Sequence, residues 1–242
     1  MEHCARPYAD FGDKREVNAM SRLVIFGATE LAKLVRHYAE QELGFDVQGF
    51  AVDEQYKNAD EFDSLPVFGW QTAVKHFPVD EVAMFVAVGY SNMRGREAAY
   101  TAVKQFGYSL VNLVCKSSYV ASGVVMGDNN IVMPGVVIEP GVTLGSNNVV
   151  WSNATICHDG VVGDHNFIAA NTTLGGGVYL GNRNFLGFSS VVLQERRIGN
   201  ETLIGAQALV NRNTQDLSVY QGSPARRARG LDPKIGVAVA ND

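Results

Sequence analysis

The chain has 242 residues, 46% of them hydrophobic, and a net charge of −5. That length holds one large domain or two modest ones with a real core, and the apolar content excludes a disordered chain. The slight acidity argues against non-specific nucleic-acid binding, and no apolar stretch approaches the roughly 20 residues needed to span a bilayer, so neither nucleic acid nor membrane is expected as a partner.

The first segment, residues 1–20, is polar and mixed in charge and lacks the basic start and apolar middle of a signal peptide. It reads as a disordered arm, or as an upstream start with Met20 the natural one. Cys4, Cys115 and Cys157 form an odd set without ligand-like spacing. Unpaired thiols of that kind suit a reducing cytoplasm.

Leu23-Val24-Ile25-Phe26 reads as a buried strand, followed by Gly27 and a helical pattern from Glu30 to about Glu42. Asp46 to Val52 reads as a second strand ending at Asp53, and Val82 to Val88 as another ending at Gly89. Met93 to Gln105 reads as helical, and Tyr108 to Val114 leads onward. Strands alternating with helices predict a small Rossmann-like parallel α/β domain over residues 21–113. The fingerprint G-x-G-x-x-G is incomplete, with Thr29 and Ala32 at its second and third glycine positions. Gly27 still suits a tight turn, the helix after it offers free N–H groups to phosphate, and Asp53 stands where an acidic side chain takes ribose or base contacts. Two readings stay open: a nucleotide site using Gly27, Thr29 and Asp53, or a domain that only caps the rest of the chain.

The C-terminal half is built on a repeat. Stepping by six from Val120 meets Met126, Val132, Ile138, Leu144, Val150, Ile156, Val162, Ile168, Leu174, Leu180, Leu186, Val192, Ile198, Ile204 and Val210. Every position is aliphatic and no insertion breaks the frame. A period of six fits neither a 3.6-residue helix nor a two-residue strand alternation. It fits short strands separated by sharp corners, three sides closing one triangular coil, with one aliphatic per side pointing inward. Coils stack at about 4.8 Å. Corners call for residues tolerant of positive φ, which accounts for Asn129, Asn147, Asn153, Asn182 and Asn200 as well as the glycines. A parallel β-helix is thus predicted over residues 114–215, with 216–242 as a tail.

His158 and His165 are the histidines on the repeats. His158 comes two places after the inward Ile156, hence at an outward corner, with Asp159 beside it. A histidine of near-neutral pKa suits removal of a proton from a hydroxyl or ammonium attacking a thioester, and an adjacent carboxylate can fix its tautomer. A plain solvated corner histidine fits the spacing equally well. His165, three places after Val162, is expected at a corner in a supporting or surface role.

The chain resembles the sialic acid O-acetyltransferase and UDP-4-amino-sugar N-acetyltransferase family of sugar acyltransferases, from Ser21 nearly to its end. The resemblance rests on Val24-Ile25-Phe26-Gly27-Ala28, Gly49-Phe50 with Asp53, Pro66-Val67-Phe68-Gly69, Val86-Ala87-Val88-Gly89 with Asn92 and Arg94, Val111-Asn112-Leu113-Val114, His158-Asp159, and Gly222-Ser223-Pro224-Ala225. It implies a left-handed β-helix, a homotrimer with acetyl-CoA in the groove between neighbouring subunits, His158 as general base and Asp159 as its orienting acid. Outward residues such as Val161, Phe167 and Phe185 are expected exposed, for a cyclic partner to bury. The resemblance further implies that Phe167 and backbone groups near Gly176, Gly187, Gly205 and Ala206 hold the cofactor's thioester and pantetheine arm. Arg226 and Arg227 would meet CoA phosphates, and Gly27, Thr29 and Asp53 a nucleotide-sugar acceptor. No metal is expected. The chain departs from the family at Phe167, where some members carry a second histidine near the acetyl carbonyl. It departs also at Thr29-Glu30, in place of phosphate-loop glycines, and at Cys115-Lys116, in place of His-Pro. The expected activity is transfer of an acyl group from CoA to a sugar amine or hydroxyl. The alternatives are a catalytically silent scaffold or sugar-binding protein, and a metal-dependent hydratase, which needs three histidine ligands.

Overall fold

The computed structural model describes residues 21–239; the reading of residues 1–20 lies outside the described residues. Strand β1 (Arg22–Phe26) leads through Gly27 into helix α1 (Glu30–Gln41), then β2 (Asp46–Val52), β3 (Glu61–Phe62), β4 (Leu65–Gly69), helix α2 (Trp70–His76), β5 (Ala83–Val86) and helix α3 (Met93–Phe106). The sheet order is β3-β4-β2-β1-β5, all parallel except the β3-β4 pair. β3, β4 and α2 were not legible in the hydrophobic pattern, because they are short and Pro66 interrupts the run.

Strand alternation sorts the core of this sheet into two layers. Val24, Phe26, Met84 and Val86 pack on one side with Ala73 of α2 and Val103 of α3. Leu23, Ile25, Phe50 and Phe85 pack on the other with Val35 and Ala39 of α1 and with Ile131, Val149, Phe167 and Phe185 of the repeats. The second layer is therefore also the joint between the two parts of the chain.

The repeats close a left-handed parallel β-helix. Its first side is β6 (Leu113–Val114), pairing with Ile131–Val132, so the coil begins one step before the run counted from Val120. Each of three faces is a parallel ladder whose partners lie one coil apart: Val149 pairs with Phe167 on the first face, Val137 with Thr155 on the second, and Thr143 with Val161 on the third. The aliphatics from Val132 to Val210 are fully buried inside the prism, and Val120 and Met126 are partly buried at its open end. At about 1.5–3 kcal/mol for each buried aliphatic, this column is the main stabilising term of the helix. The segment expected as a tail instead continues the first face: Ser218–Gln221 pairs with Thr202–Ile204 and then with the antiparallel strand Arg226–Gly230.

The corners differ in detail from expectation. Asn129, Asn147 and Asn153 adopt positive φ, but Asn182 and Asn200 do not; their neighbours Arg183 and Glu201 do. Asn182 and Asn200 serve the ladder instead, their side-chain oxygens accepting the N–H of Asp164 and Asn182 respectively. Gly187, next to the inward Leu186, keeps negative φ. It is glycine because a Cβ there would fall 2.6 Å from the Ala206 backbone N.

Helix α3 lies along the corner between the third and first faces and is fastened by polar contacts. The Arg96 Nη2 donates to the Asn147 carbonyl at 2.6 Å, Arg183 pairs with Glu97 at 2.9 Å, and Arg94 pairs with Glu201 at 2.7 Å. The Asn129 side chain accepts from the Val86 N–H and donates to the Val86 carbonyl, which covers the open edge of β5. Among the described residues no helix is long and apolar enough to cross a membrane.

Candidate functional site

His158 sits at the corner between the second and third faces, exposed, as the frame predicts. Its Nδ1 lies 2.9 Å from Oδ2 of Asp159, whose positive φ of 58° turns the carboxylate back onto the ring. Asp159 has room to do so because Gly141, one coil below, has no side chain where its Oδ1 lies. On the coil above, Gly176 faces the imidazole: a Cβ there would stand 2.6 Å from Nε2. The pairing with Asp159 assigns the proton to Nδ1 and leaves the Nε2 lone pair outward. The hydrogen bond to Asp159, reinforced by the charges of Asp159 and Glu139, holds the His158 pKa above the ordinary histidine value. The hydrophobic frame does not single out Glu139. Its Oε2 accepts the backbone N–H of His158 at 2.7 Å, a contact that forms only once the coil has closed.

His165 also occupies a corner with positive φ, but it is buried beneath α3 rather than at the surface. Its Nδ1 meets the Asn147 Nδ2 at 2.9 Å, its Nε2 lies 3.7 Å from Glu97, and its ring meets Tyr100 edge-on. Burial lowers its pKa, opposed by Glu97. It belongs to the joint between the domains.

Phe167 and Phe185 correct an expectation outright. They are 2% and 9% exposed, stacked on each other at 5.4 Å and covered by Tyr90 at 4.7 and 5.3 Å. The first face is shielded by the α/β domain, so these rings are not open to a second subunit. The Phe167 side chain likewise offers a cofactor no surface. Val161, on the third face, does stay 41% exposed, beside Val125 and Tyr179 in the same column.

The other predicted residues fall into separate groups. Gly187, Gly205 and Ala206 meet at the corner between the first and second faces. A whole side of the prism, roughly 15–20 Å, separates that corner from His158. Arg226 is exposed on the strand Arg226–Gly230, its Nη1 donating to the Ala225 carbonyl, and Arg227 is turned back, its Nε donating to the Ser218 hydroxyl. Gly27, Thr29 and Asp53 gather at the end of the parallel strands β1 and β2. The Gly27 N–H donates to the Ala51 carbonyl, and its φ of 125° and close approach to the Ala87 carbonyl exclude a side chain. Thr29 caps α1 without a side-chain hydrogen bond, and both Thr29 and Asp53 are exposed.

A family model described as bacterial transferase hexapeptide (six repeats) matches residues 118–158. No curated protein matches the chain by sequence alone. Among solved structures, a histidine-to-alanine variant of GDP-perosamine N-acetyl transferase from Caulobacter crescentus, in complex with CoA and GDP-perosamine, is 27% identical. It aligns over 86% of this chain and 96% of its own, with a TM-score of 0.79. The acetyltransferase domain of PglB from Neisseria gonorrhoeae FA1090, in complex with acetyl coenzyme A, is 22% identical over 86% and 99% of the two chains, with a TM-score of 0.78. WeeI from Acinetobacter baumannii AYE is 18% identical over 85% and 98%, with a TM-score of 0.67. The last two speak for the fold. The chain thus carries bacterial-transferase hexapeptide repeats, and in its two-part architecture it is similar to GDP-perosamine N-acetyl transferase.

Proposed function

We propose that the protein is a sugar acyltransferase that carries an acetyl group from acetyl-CoA to the amino group of a nucleotide-linked sugar. The observation that carries this reading is His158: an exposed imidazole with Nδ1 tied to Asp159, Nε2 free, and a glycine opposite that leaves room for a reacting group. The likeness to a GDP-perosamine N-acetyl transferase supports both the donor and the acceptor class.

The chemistry grows out of that geometry. Nε2 takes the proton of the amine as its nitrogen bonds to the thioester carbonyl carbon. Asp159 holds the ring in the tautomer that keeps Nε2 unprotonated and stabilises the imidazolium that results. The backbone N–H of Gly176 can stabilise the oxyanion. As the carbon–sulfur bond breaks, the imidazolium returns its proton to the departing thiolate. Gly187, Gly205 and Ala206 supply a narrow edge with no side chain larger than a methyl for the pantetheine arm, with Arg226 beyond it for phosphate. Because that edge stands a full side away from His158 in one chain, the groove is assembled from two copies, and closure gives a homotrimer. The exposed third-face column of Val125, Val161 and Tyr179 suits that contact. Gly27, Thr29 and Asp53 would hold the nucleotide of the acceptor in a cytoplasmic enzyme, with the α/β domain at residues 21–113 and the catalytic helix after it.

The test is acetyl-CoA turnover with a panel of GDP-, UDP- and dTDP-linked 4-amino sugars. His158→Ala is expected to lower kcat by ~10²–10⁴-fold with the fold intact. Unchanged turnover would remove His158 from the reaction. Failure to bind millimolar acetyl-CoA would favour a silent scaffold.

A further inference from the structure

We propose that Glu139 is the positioning residue of the His158 base, holding the corner so that the imidazole stays aimed at the reacting amine. This rests on the transferase reading and goes one residue beyond it.

Three observations carry the inference. The first is the contact itself, Oε2 of Glu139 accepting the His158 N–H at 2.7 Å from the coil below. The second is its register. Along the corner between the third and first faces, side chains brace the backbone in steps of one coil: Asp164 accepts from the Ser146 N–H, Asn182 from Asp164, Asn130 from the Asn148 N–H, and Asn148 from the Asn166 N–H. All four join residues 18 apart. Glu139 and His158 lie on another corner and are 19 apart, so this side-chain contact is an addition to the backbone bonds of the same spacing that close each corner, such as the Asp159 N–H to the Pro140 carbonyl. The third is composition. The coil equivalents of Glu139 are Ala121, Cys157, Gly175, Leu193 and Asn211, none of them a carboxylate. The repeat does not require an acid in that column; it has one only beside His158.

These contacts define a physical role. The His158 side chain is 64% exposed and lacks walls to select its rotamer. A fixed backbone N–H sets the direction of its Cα–Cβ bond, and the Asp159 contact then fixes the ring. Together they leave Nε2 over Gly176, which spares the base the entropy of finding that pose at each turnover. The groups facing the imidazole are Asp159 from its own corner, Glu139 from the coil below and the Gly176 backbone from the coil above, with Glu195 lying over Gly177. None of these is a cation, so Glu139 also helps to hold the imidazole basic.

The experiment compares Glu139→Ala, Glu139→Gln and His158→Ala in the full chain. Acetyl-CoA and the nucleotide 4-amino sugar giving the highest wild-type rate serve as substrates, and the His158 imidazole is titrated by NMR. Glutamine keeps an acceptor for the His158 N–H and loses the charge. Glu139→Ala is expected to lower kcat ~10-fold with KM for acetyl-CoA unchanged, and Glu139→Gln to restore kcat to within ~2-fold while the imidazole midpoint moves to lower pH. Full kcat in Glu139→Ala, a Glu139→Gln as slow as the alanine variant, or an unmoved midpoint in Glu139→Gln overturns the inference. An undiminished His158→Ala overturns the transferase reading and this inference with it; an inactive His158→Ala beside a fully active Glu139→Ala overturns this inference alone.

Discussion

Nδ1 of His158 lies 2.9 Å from Oδ2 of Asp159, and the two residues are neighbours in sequence on one exposed corner. Adjacent residues seldom face each other in extended chain; here the positive φ of Asp159 folds the carboxylate back. The bond raises the imidazole pKa, which in the proposed reaction sets the pH at which His158 can act as the base. Only neutral His158 accepts a proton, so activity is lost as pH falls through that raised value. Asp159→Asn removes the charge and lowers the pKa, so the acid limb of the kcat/KM profile moves to lower pH. The plateau falls at the same time by roughly 10²-fold, because the ring loses its fixed tautomer. An acid limb that stays in place would show that Asp159 does not tune His158.

Phe167 gives a prediction that separates packing from cofactor contact. With the ring between Phe185 and Tyr90, Phe167→Ala is expected to cost about 3–5 kcal/mol of stability. The gentler Phe167→Leu should lower the unfolding midpoint while KM for acetyl-CoA stays within ~2-fold, since uniform binding is untouched. A raised KM with an unchanged midpoint would place the ring against the donor after all.

The joint between α3 and the β-helix is expected to be acid-labile. Burial lowers the His165 pKa in the fold, whereas the unfolded chain titrates near ~6.5. Below that pH the unfolded chain holds the extra proton, so stability falls as the solution is acidified towards the folded-state value. At Glu201 burial pushes the carboxyl up, but hydrogen bonds from Arg94 and Arg183 outweigh it and hold the pKa low. That adds a second loss below pH ~4.3. Urea unfolding from pH 8 to about 3 should show both, and His165→Gln should flatten only the upper one. Parallel curves for the two proteins would mean that His165 does not report on the joint.

How much of this could be read from the chain alone depends on what each residue touches. The aliphatic column was legible because every sixth residue meets the same prism interior, wherever it lies along the rod. The residue before it was not. Val161 and Phe167 hold the same frame position, yet one is 41% exposed and the other 2%, because only the first face meets the α/β domain. His158 and Asp159 were legible as neighbours placed at a corner, whereas Glu139 became visible only when closure of the coil brought residues 19 apart together. Likewise His165 and His158 look alike in the frame. Their difference comes from α3, which covers one corner and leaves the other open.

Gly176 and Gly177 sit side by side and predict opposite outcomes. Gly176 does not have positive φ, so its backbone accepts alanine; the new Cβ would stand 2.6 Å from Nε2 and 2.7 Å from Cε1 of His158. The ring is the free end of an exposed side chain and can swing away, so the fold should survive. The base is then displaced by an ångström or more, and a misplacement of that size costs about 10²-fold in rate. Gly177, by contrast, has a φ of 65° and only the Glu195 side chain near its missing Cβ. Gly177→Ala should therefore lose about 1–2 kcal/mol of stability from the left-handed backbone and keep kcat within ~3-fold, since nothing meets Nε2. Measuring kcat and the unfolding midpoint for both variants decides the matter. A Gly176→Ala protein that is unstable but fully active would mean that the glycine is there for the chain rather than for His158.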